Sequence, residues 1–269
     1  MKNKPLVSVL IASYNKERYV KRSILSCLKQ NYNNVEIIFV DDDSEDKSFS
    51  TAKKFKKVKV FKKKNNFKLK RKFNTYFQIQ TYLHAFKKSN GKFIFFLDSD
   101  DFFKKDKIKK MMNFFIKNSD NQILFDKPIV YYSDQNFYSD NNFYKRRNLW
   151  PKFPPQSCIA IRRSFFKKVL PEISKKHFHL LTLDFRLAAI SHFIYDNFEI
   201  FNENLTYYFQ DPKGESHNKF KKFNYNWWLR RKQAHEYCRY INLKYNNKYN
   251  LSIDNLITNI IVSLLKLFR

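Results

Sequence analysis

The chain has 269 residues, of which 43% are hydrophobic, so its length and composition exclude a largely disordered protein. Its 53 Lys and Arg residues outnumber 24 Asp and Glu residues and give a formal net charge of +29. Such an excess by itself indicates a nucleic acid, an anionic membrane face or a polyanionic substrate as partner. Abundant Lys, Asn, Phe and Tyr with only two Gly are also typical of an AT-rich coding sequence, so a merely solvated basic surface stays open.

The three cysteines lie far apart at Cys27, Cys158 and Cys238. This spacing fits neither a zinc site nor a disulfide framework and predicts a reducing, cytoplasmic location. The apolar run Leu6–Ala12 superficially resembles a signal peptide, but it is short and leads directly into a helical pattern, so we interpret it as a buried first strand. No apolar run reaches about 18 residues, which predicts that no helix spans a membrane.

In the first hundred residues, short apolar runs alternate with helical periods. The predicted strands are Leu6–Ile11, Val35–Val40, Val58–Phe61 and Phe93–Leu97, and the predicted helices begin at about Lys16, after Ser44 and at Tyr76. Strands that are apolar on both faces are typical of the centre of a parallel sheet. The alternation therefore predicts an α/β fold with an open, mostly parallel central sheet flanked by helices.

Beyond Asp101 the pattern is less regular. The predicted elements are a helix over about Asp106–Ile116, strands at Ile129–Tyr132, Cys158–Ile161 and Leu205–Phe209, a short helix near Ser164 and a helix over Asp184–Ile190. We divide the chain into a catalytic domain over residues 1–212, with halves 1–101 and 102–212, and a helical C-terminal extension over residues 213–269.

Two of the predicted strands run into acidic clusters, Asp41–Asp43 and Asp98–Asp101. In an open parallel sheet both clusters lie beyond the carboxyl ends of the strands, at the edge where ligands bind. Six carboxylates so close together repel one another unless a cation lies among them. Mg²⁺ or Mn²⁺ shared with a nucleotide diphosphate meets this need. Either cluster alone is equally consistent with a solvated, helix-capping loop.

Three motifs in this order, Val9–Asn15, Val40–Ser44 and Gly91–Asp101, resemble the family-2 glycosyltransferases of the glycosyltransferase-A fold. Pro154–Ser164 resembles a segment that many bacterial members carry before their acceptor region. The resemblance covers about residues 1–217. It implies inverting transfer of a sugar from a nucleotide-diphosphate donor, expected to be a UDP-sugar, to a saccharide or lipid-linked acceptor in surface polysaccharide or capsule synthesis.

The same resemblance implies roles for individual residues. Tyr14 would stack on a pyrimidine ring, and Asp42 would accept a hydrogen bond from uracil N3–H. Asp98 and Asp100 would bind Mn²⁺ or Mg²⁺, which stabilises the charge of the leaving diphosphate. The residues implied to contact the nucleotide are Ala12, Tyr14, Asp42, Asp98 and Ser99.

The resemblance also implies a catalytic base at the start of a helix on the acceptor side. Asp184 fits this position and lies in an otherwise apolar stretch, where burial raises the pKa of a carboxyl group and makes it a better base. The alternative is a helix-end charge that pairs with Arg186 or with a Lys.

Three departures from the family pattern concern the donor site. Asp43 stands where Gly is common, although Asp tolerates the turn conformation. Thr81–Leu83 lacks an Arg that many members have, so Arg71, or Lys70 beside it in the basic run, is the expected substitute at the diphosphate. Tyr208–Asp211 replaces a downstream Tyr-Arg-x-His, which leaves His217 as a candidate third metal ligand or simply a surface residue.

Apolar residues recur at helical spacing from Ile253 to Phe268, behind a candidate N-cap at Ser252. We expect this stripe to pack on the catalytic domain. A dimer contact and an interfacial helix on an anionic membrane are the alternatives.

Two other functions compete with glycosyl transfer. A sugar nucleotidyltransferase would need a Gly-rich phosphate loop after the first strand, and the sequence has none there. A basic domain that binds polyanions or nucleic acid without catalysis agrees with the net charge and with residues 53–72, which carry twelve Lys and Arg and no acid. It does not explain the acidic strand ends, so we expect no nucleic-acid partner.

Overall fold

The computed structural model describes residues 4–65, 74–132, 137–139, 150–210 and 220–268. Its strands are β1 (Val7–Ser13), β2 (Val35–Asp41), β3 (Val58–Lys62), β4 (Phe93–Asp98), β5 (Phe102–Phe103), β6 (Ile123–Tyr131), β7 (Phe137–Ser139), β8 (Ile159–Arg162) and β9 (Ile200–Phe209). Its helices are α1 (Glu17–Leu28), α2 (Ser48–Lys53), α3 (Asn74–Lys87), α4 (Lys107–Lys117), α5 (Arg163–Ile173), α6 (Leu183–Phe193), α7 (Tyr225–Lys244) and α8 (Ile253–Leu267).

Most predicted elements are confirmed to within a few residues, and two differ more. The strand expected at Ile129 is the end of β6, which already begins at Ile123. The expected start of a strand at Cys158 is a short 3₁₀ turn, Gln156–Cys158, that leads into β8. The proposed boundary at residue 212 lies outside the described residues.

The described strands form one mixed sheet in the order β3-β2-β1-β4-β8-β6-β9-β5, with β7 paired to β6. The half that contains β3, β2, β1 and β4 is parallel, as predicted. The other half is mixed, because β8 runs antiparallel to both β4 and β6 while β9 runs parallel to β6. The expectation of a mostly parallel sheet therefore holds for the first half only.

The sheet is covered by helices on both faces. Successive side chains of a strand point to opposite faces, and in β1 Leu10 joins one apolar cluster while Val9 and Ile11 join the other. The first cluster includes residues of α3, α5, α6 and α7, and the second includes residues of α1, α2 and α4. Strand β1 is therefore buried along its whole length, and polar side chains gather beyond its carboxyl end.

The apolar side of the last described helix, α8, faces outward, whereas the sequence predicts that it faces the catalytic domain. Its Ile253, Leu256 and Leu264 side chains are 78%, 62% and 51% exposed, whereas Asn255 and Thr258 are buried. Ser252 caps the helix as predicted, since its hydroxyl accepts the Asn255 N–H at 3.1 Å. The prediction that the apolar stripe packs on the catalytic domain is wrong.

Polar contacts explain this orientation of α8. The Asp254 carboxylate accepts hydrogen bonds from Arg231 of α7 and lies 2.7 Å from His235 Nε2 of the same helix. These contacts turn the side of α8 that carries Asp254, Asn255 and Thr258 toward α7. No helix in the described part of the chain is long and apolar enough to cross a membrane.

Gly91 lies where two strands begin side by side. A Cβ atom at this position would be 2.5 Å from the backbone nitrogen of Ser8 and 2.8 Å from the carbonyl carbon of Val7. The Gly91 N–H also donates to the Ser8 hydroxyl at 2.8 Å. Any larger residue would have to push β1 away from the start of β4.

We expect Gly91→Ala to lower the free energy of unfolding by about 1–3 kcal/mol, the usual cost of overpacking a tight interior. Chemical denaturation monitored by circular dichroism measures the change. Asn90→Ala is the matched control, because the Asn90 residue is exposed and its hydrogen bond to the Glu36 carboxylate uses the backbone N–H. Equal stability of the two variants would contradict the close approach.

Candidate active site

The acidic loop, Asp98–Asp101, follows β4 directly and is fixed to the end of β1. The Ser99 N–H donates to the Ala12 carbonyl at 3.2 Å, and the Asp101 N–H donates to the Asp98 carbonyl at 3.0 Å. Ser99 and Asp101 are buried, while Asp98 and Asp100 are half-buried. The loop is a tight turn that directs two partly accessible carboxylates to the carboxyl edge of the sheet.

Three neutral side chains hold the first carboxylate of the loop. Asp98 Oδ1 accepts hydrogen bonds from Gln78 Nε2 at 2.9 Å, from the Tyr82 hydroxyl at 2.9 Å and from Gln156 Nε2 at 3.2 Å. Gln78 and Tyr82 lie one turn apart on α3, so both face the loop. These contacts fix the orientation of Asp98 without neutralising its charge.

Ser157 joins the two ends of the acidic loop. Its hydroxyl accepts the Asp98 N–H at 2.9 Å and donates to the Asp101 carboxylate. Its carbonyl accepts a hydrogen bond from Lys107 Nζ at 2.7 Å. Lys107 is fully buried and pairs with the fully buried Asp126 at 2.5 Å. A buried ion pair thus supports the acidic loop from below through a single serine.

Asp100 is bound through both its side chain and its backbone. Its carboxylate lies 2.6 Å from Lys16 Nζ, and its carbonyl accepts hydrogen bonds from Arg22 at 3.1 Å and from the Tyr131 hydroxyl at 2.7 Å. The Arg22 guanidinium stacks over the Phe102 ring at 4.4 Å, which fixes the group beneath the loop. The position of Asp100 is therefore determined by residues from α1 and β6.

The charges of the loop strongly affect one another. Burial and the neighbouring charge of Asp100 raise the pKa of Asp98 to about 7. Burial and the charges of Asp100 and Asp98 also raise the pKa of Asp101 well above its ordinary value. The Tyr208 hydroxyl lies among the same carboxylates, and burial followed by their charges raises its pKa too. The loop carries more negative charge than the protein neutralises.

This donor set fits a hard divalent cation. Carboxylate oxygens are the ligands that Mg²⁺ and Mn²⁺ prefer, and such ions commonly take only one or two carboxylates and share the rest of their ligands with phosphates and water. Within the described ranges, no group of three or more His, Cys, Asp or Glu side chains is arranged to hold a metal ion. Among the described residues, Asp98 and Asp100 would hold such an ion.

A second polar cluster surrounds Asp42 beyond β2. Asp42 Oδ1 accepts hydrogen bonds from Lys63 Nζ, Asn65 Nδ2 and the Thr81 hydroxyl, each at 2.7 Å. The next residue, Asp43, has a backbone φ of 63°, so Asp adopts here the left-handed turn expected for Gly. Asp42 is thus held by one ammonium group and two neutral donors.

The predicted base-pocket residues lie beside this cluster. Ala12 is 7% exposed near the end of β1, and Tyr14, the first residue after this strand, is half-buried. The Asp42 N–H donates to the Ser13 carbonyl at 2.8 Å, which brings the two strand ends together. The structure thus places Ala12, Tyr14 and Asp42 at one edge of the sheet with Asp98 and Ser99. Arg71 and His217 lie outside the described residues.

Asp184 lies at the first turn of α6, within electrostatic range of Asp98. Its Oδ1 accepts the Phe185 N–H at 2.7 Å. Burial raises the pKa of Asp184, while a hydrogen bond from Thr182 and the charge of Arg230 oppose that rise. The structure therefore brings the predicted base to the acidic loop.

Arg186, the alternative partner for Asp184, binds backbone carbonyl groups instead. Its guanidinium is fully buried and donates to the carbonyls of Leu181, Ile173, Lys175 and Phe178. These bonds tie the end of α5 and the following turn to the start of α6. Arg186 thus fixes the backbone that presents Asp184, and the cation whose charge acts on Asp184 is Arg230 of α7.

Several site residues were missed by sequence reasoning: Gln78, Tyr82, Lys63, Ser157 and Arg230. The helical spacing of Gln78 and Tyr82 on α3 was an available signal, because both face the strand end once the helix is assigned. Lys63 directly follows the edge strand next to β2, so its proximity to Asp42 could also have been predicted. Arg230 comes from α7, far along the chain, and no local pattern indicates it.

A sequence model of the family described as "Glycosyl transferase family 2" matches residues 8–174, more than half of the chain. The chain belongs to this family. Family-2 relatives include an uncharacterized glycosyltransferase of Haemophilus influenzae, 39% identical over 116 residues that cover 43% of this chain and 44% of the relative. WfgD of Escherichia coli, named a UDP-Glc:alpha-D-GlcNAc-diphosphoundecaprenol beta-1,3-glucosyltransferase, is 34% identical over 120 residues, which are 42% of each protein.

A third relative, TuaG of Bacillus subtilis, is named a putative teichuronic acid biosynthesis glycosyltransferase and is 31% identical over 116 residues, 43% of this chain and 44% of TuaG. The chain spans about half the length of the curated relatives it matches. Among solved structures, S. aureus TarS in complex with UDP-GlcNAc has a TM-score of 0.60 at 17% identity and covers 96% of this chain and 70% of TarS 1-349. This likeness confirms the glycosyltransferase-A fold.

We expect Lys107→Met to lower the free energy of unfolding by about 3–5 kcal/mol, because it leaves the buried Asp126 charge without its partner. The double variant Lys107→Met/Asp126→Leu removes both charges and should recover much of that loss. Denaturant unfolding curves measure both effects. Lys110→Met breaks the largely exposed pair with Glu203 and should change stability little. If the double variant were no more stable than Lys107→Met, the unpaired Asp126 charge would not be the cause of the lost stability.

Proposed function

We propose that this family-2 chain is a metal-dependent, inverting glycosyltransferase. It transfers a sugar from a nucleotide-diphosphate donor, a UDP-sugar, to a hydroxyl of a saccharide or lipid-linked acceptor in surface polysaccharide synthesis. The observation that carries the proposal is the meeting of Asp42, the acidic loop and Asp184 at one edge of the sheet. The activities for which WfgD and TuaG are named, and the UDP and UDP-GlcNAc complexes of TarS, support it.

In this proposal the strand ends bind the nucleotide. Tyr14 stacks on the base, and Asp42 accepts its N3–H through a carboxylate that Lys63, Asn65 and Thr81 hold in place. Ala12 and Ser99 would line the same side of the proposed pocket, and Arg71 is the proposed partner of the diphosphate charge. A non-catalytic polyanion-binding domain, in contrast, offers no reason for carboxylates to gather at this edge.

Mn²⁺ or Mg²⁺ is the proposed cofactor, which Asp98 and Asp100 would hold, with His217 as the candidate third ligand. When bound, the ion stabilises the negative charge that develops on the departing nucleotide diphosphate. The protein's part is to orient the ligands beforehand. Gln78 and Tyr82 direct Asp98, and the contacts of Asp100 with Lys16 and Arg22 fix the opposite end of the turn.

Asp184 is the proposed base. As the acceptor oxygen bonds to the anomeric carbon, Asp184 takes the hydroxyl proton, and the electron pair of the sugar–phosphate bond leaves with the nucleotide diphosphate. A single displacement of this kind inverts the anomeric configuration. Burial raises the pKa of Asp184 and strengthens it as a base, while the charge of Arg230 opposes that rise.

We expect Asp100→Asn to abolish sugar transfer and to remove the Mn²⁺-dependent part of UDP binding, because it deletes one of two metal-binding carboxylates. Isothermal titration of UDP with Mn²⁺ and with EDTA measures the binding. Asp106→Asn is the matched control, since Asp106 lies at the N-terminus of α4 and outside the acidic loop. Full transfer by wild-type protein in EDTA would disprove the metal requirement.

We expect Asp184→Asn to retain UDP and Mn²⁺ binding while turnover falls about 10²–10⁴-fold, because Asn keeps the shape but not the basicity. Since the pKa of Asp184 is raised, wild-type turnover should fall as pH drops through a value above the ordinary Asp range, and this limb should vanish in the variant. Asp196→Asn, beyond α6, should retain wild-type turnover. A retained anomeric configuration by NMR would contradict the mechanism.

A further inference from the structure

The outward side of α8 is a continuous apolar surface. We define the α8 face as Ile253, Leu256, Ile257, Ile260, Leu264 and Leu267, each between 47% and 79% exposed. Their spacing of three and four residues places them along one side of the helix. Asn255, Thr258 and Val262 are buried on the opposite side. A helix that covers a protein core shows the reverse arrangement, with its apolar side inward.

The orientation of α8 is fixed by specific contacts. The Asp254 carboxylate is bound by Arg231 and contacts His235, which is itself 1% exposed. Arg231 also lies over the Trp150 ring at 5.2 Å, so it is fixed in turn by the catalytic domain. Rotating α8 to bury its apolar side would break these contacts and bring Asp254 to the surface. Specific contacts therefore keep the α8 face on the outside of the protein.

Charge indicates which partner covers the face. Residues 220–268 carry nine Lys and Arg and only two acidic residues, Glu236 and Asp254, and Asp254 is already paired with Arg231. The whole chain has a net charge of +29. A second copy of the chain would bring two strongly positive bodies together, whereas anionic lipid headgroups attract one.

The dimensions of α8 agree with a position along a membrane surface. Its 15 residues correspond to about 22 Å of helix, which is short of the roughly 30 Å hydrocarbon core that a spanning helix must cross. A helix with one apolar and one polar side lies in the plane of the interface, with the apolar side among the acyl chains.

We propose that the α8 face docks the protein on an anionic lipid bilayer. The apolar side chains enter the headgroup–acyl boundary, and the positive charge of the chain supplies the long-range attraction. This docking requires neither donor nor metal, so it is independent of the proposed glycosyl transfer. It would hold the acidic edge of the sheet at a fixed distance and orientation relative to the membrane surface.

The test compares full-length protein with Ile257→Gln/Ile260→Gln/Leu264→Gln in co-sedimentation with phosphatidylcholine vesicles that contain or lack phosphatidylglycerol. We expect the wild type to bind the anionic vesicles, with weaker binding at high salt, and the variant to lose about a hundredfold in partition coefficient. Ile116→Gln is the matched control, since Ile116 is 62% exposed on α4, outside the α8 face. It should bind as the wild type does.

Three results would overturn the proposal: no vesicle binding by the wild type, equal binding by the triple variant, or binding indifferent to phosphatidylglycerol. Sedimentation velocity tests whether a second copy of the chain covers the α8 face instead. If the wild type is a dimer that does not bind vesicles, and the triple variant is a monomer, the face is a dimer contact. An unchanged melting temperature and UDP affinity of the variant show that its fold and donor site are intact. If the wild-type protein showed no transfer activity, the proposed function would fail, but the vesicle-binding result would still decide the docking proposal.

Discussion

A buried ammonium group holds the functional edge of the sheet together. Lys107 is fully enclosed and binds Asp126 of β6, Thr206 of β9 and the carbonyl of Ser157. Because an unpaired charge in the interior is very costly, these elements cannot shift independently. Ser157 transmits the constraint to both ends of the acidic loop. The carboxylates are thus positioned by the interior before any ligand arrives, and such preorganisation is what electrostatic catalysis requires.

Around this support, the two acidic strand ends are stabilised differently. The carboxylate of Asp98 receives hydrogen bonds from Gln78, Tyr82 and Gln156, none of which carries a charge. Asp42, in contrast, is directly paired with the Lys63 ammonium. Helix α3 contributes uncharged donors to both carboxylates, Gln78 and Tyr82 to Asp98 and Thr81 to Asp42. The sheet edge therefore carries one carboxylate held by neutral donors and another that is paired with a lysine.

The strands, the helices and the acidic strand ends could be predicted from the sequence, because apolar runs and helical spacing are local properties. The direction of β8 could not, since the same residues suit either orientation of pairing. The apolar period of α8 was recognised, but a period does not tell which side faces the protein, and the contacts of Asp254 with Arg231 and His235 decided it. Likewise, the approach of Arg230 to Asp184 depends on the packing of α7 against α6.

The pairing of Asp42 with Lys63 also bears on the choice between pyrimidines. An ionised carboxylate accepts hydrogen bonds and cannot donate one. Uracil offers a donor at N3, whereas cytosine presents a lone pair there, which would face the carboxylate oxygen directly. In the proposed pocket a cytidine nucleotide would therefore meet electrostatic repulsion where a uridine nucleotide gains a bond. The half-buried Lys63 beside Asp42 would thus make the proposed pocket select uracil over cytosine, two bases that differ in a single exocyclic group.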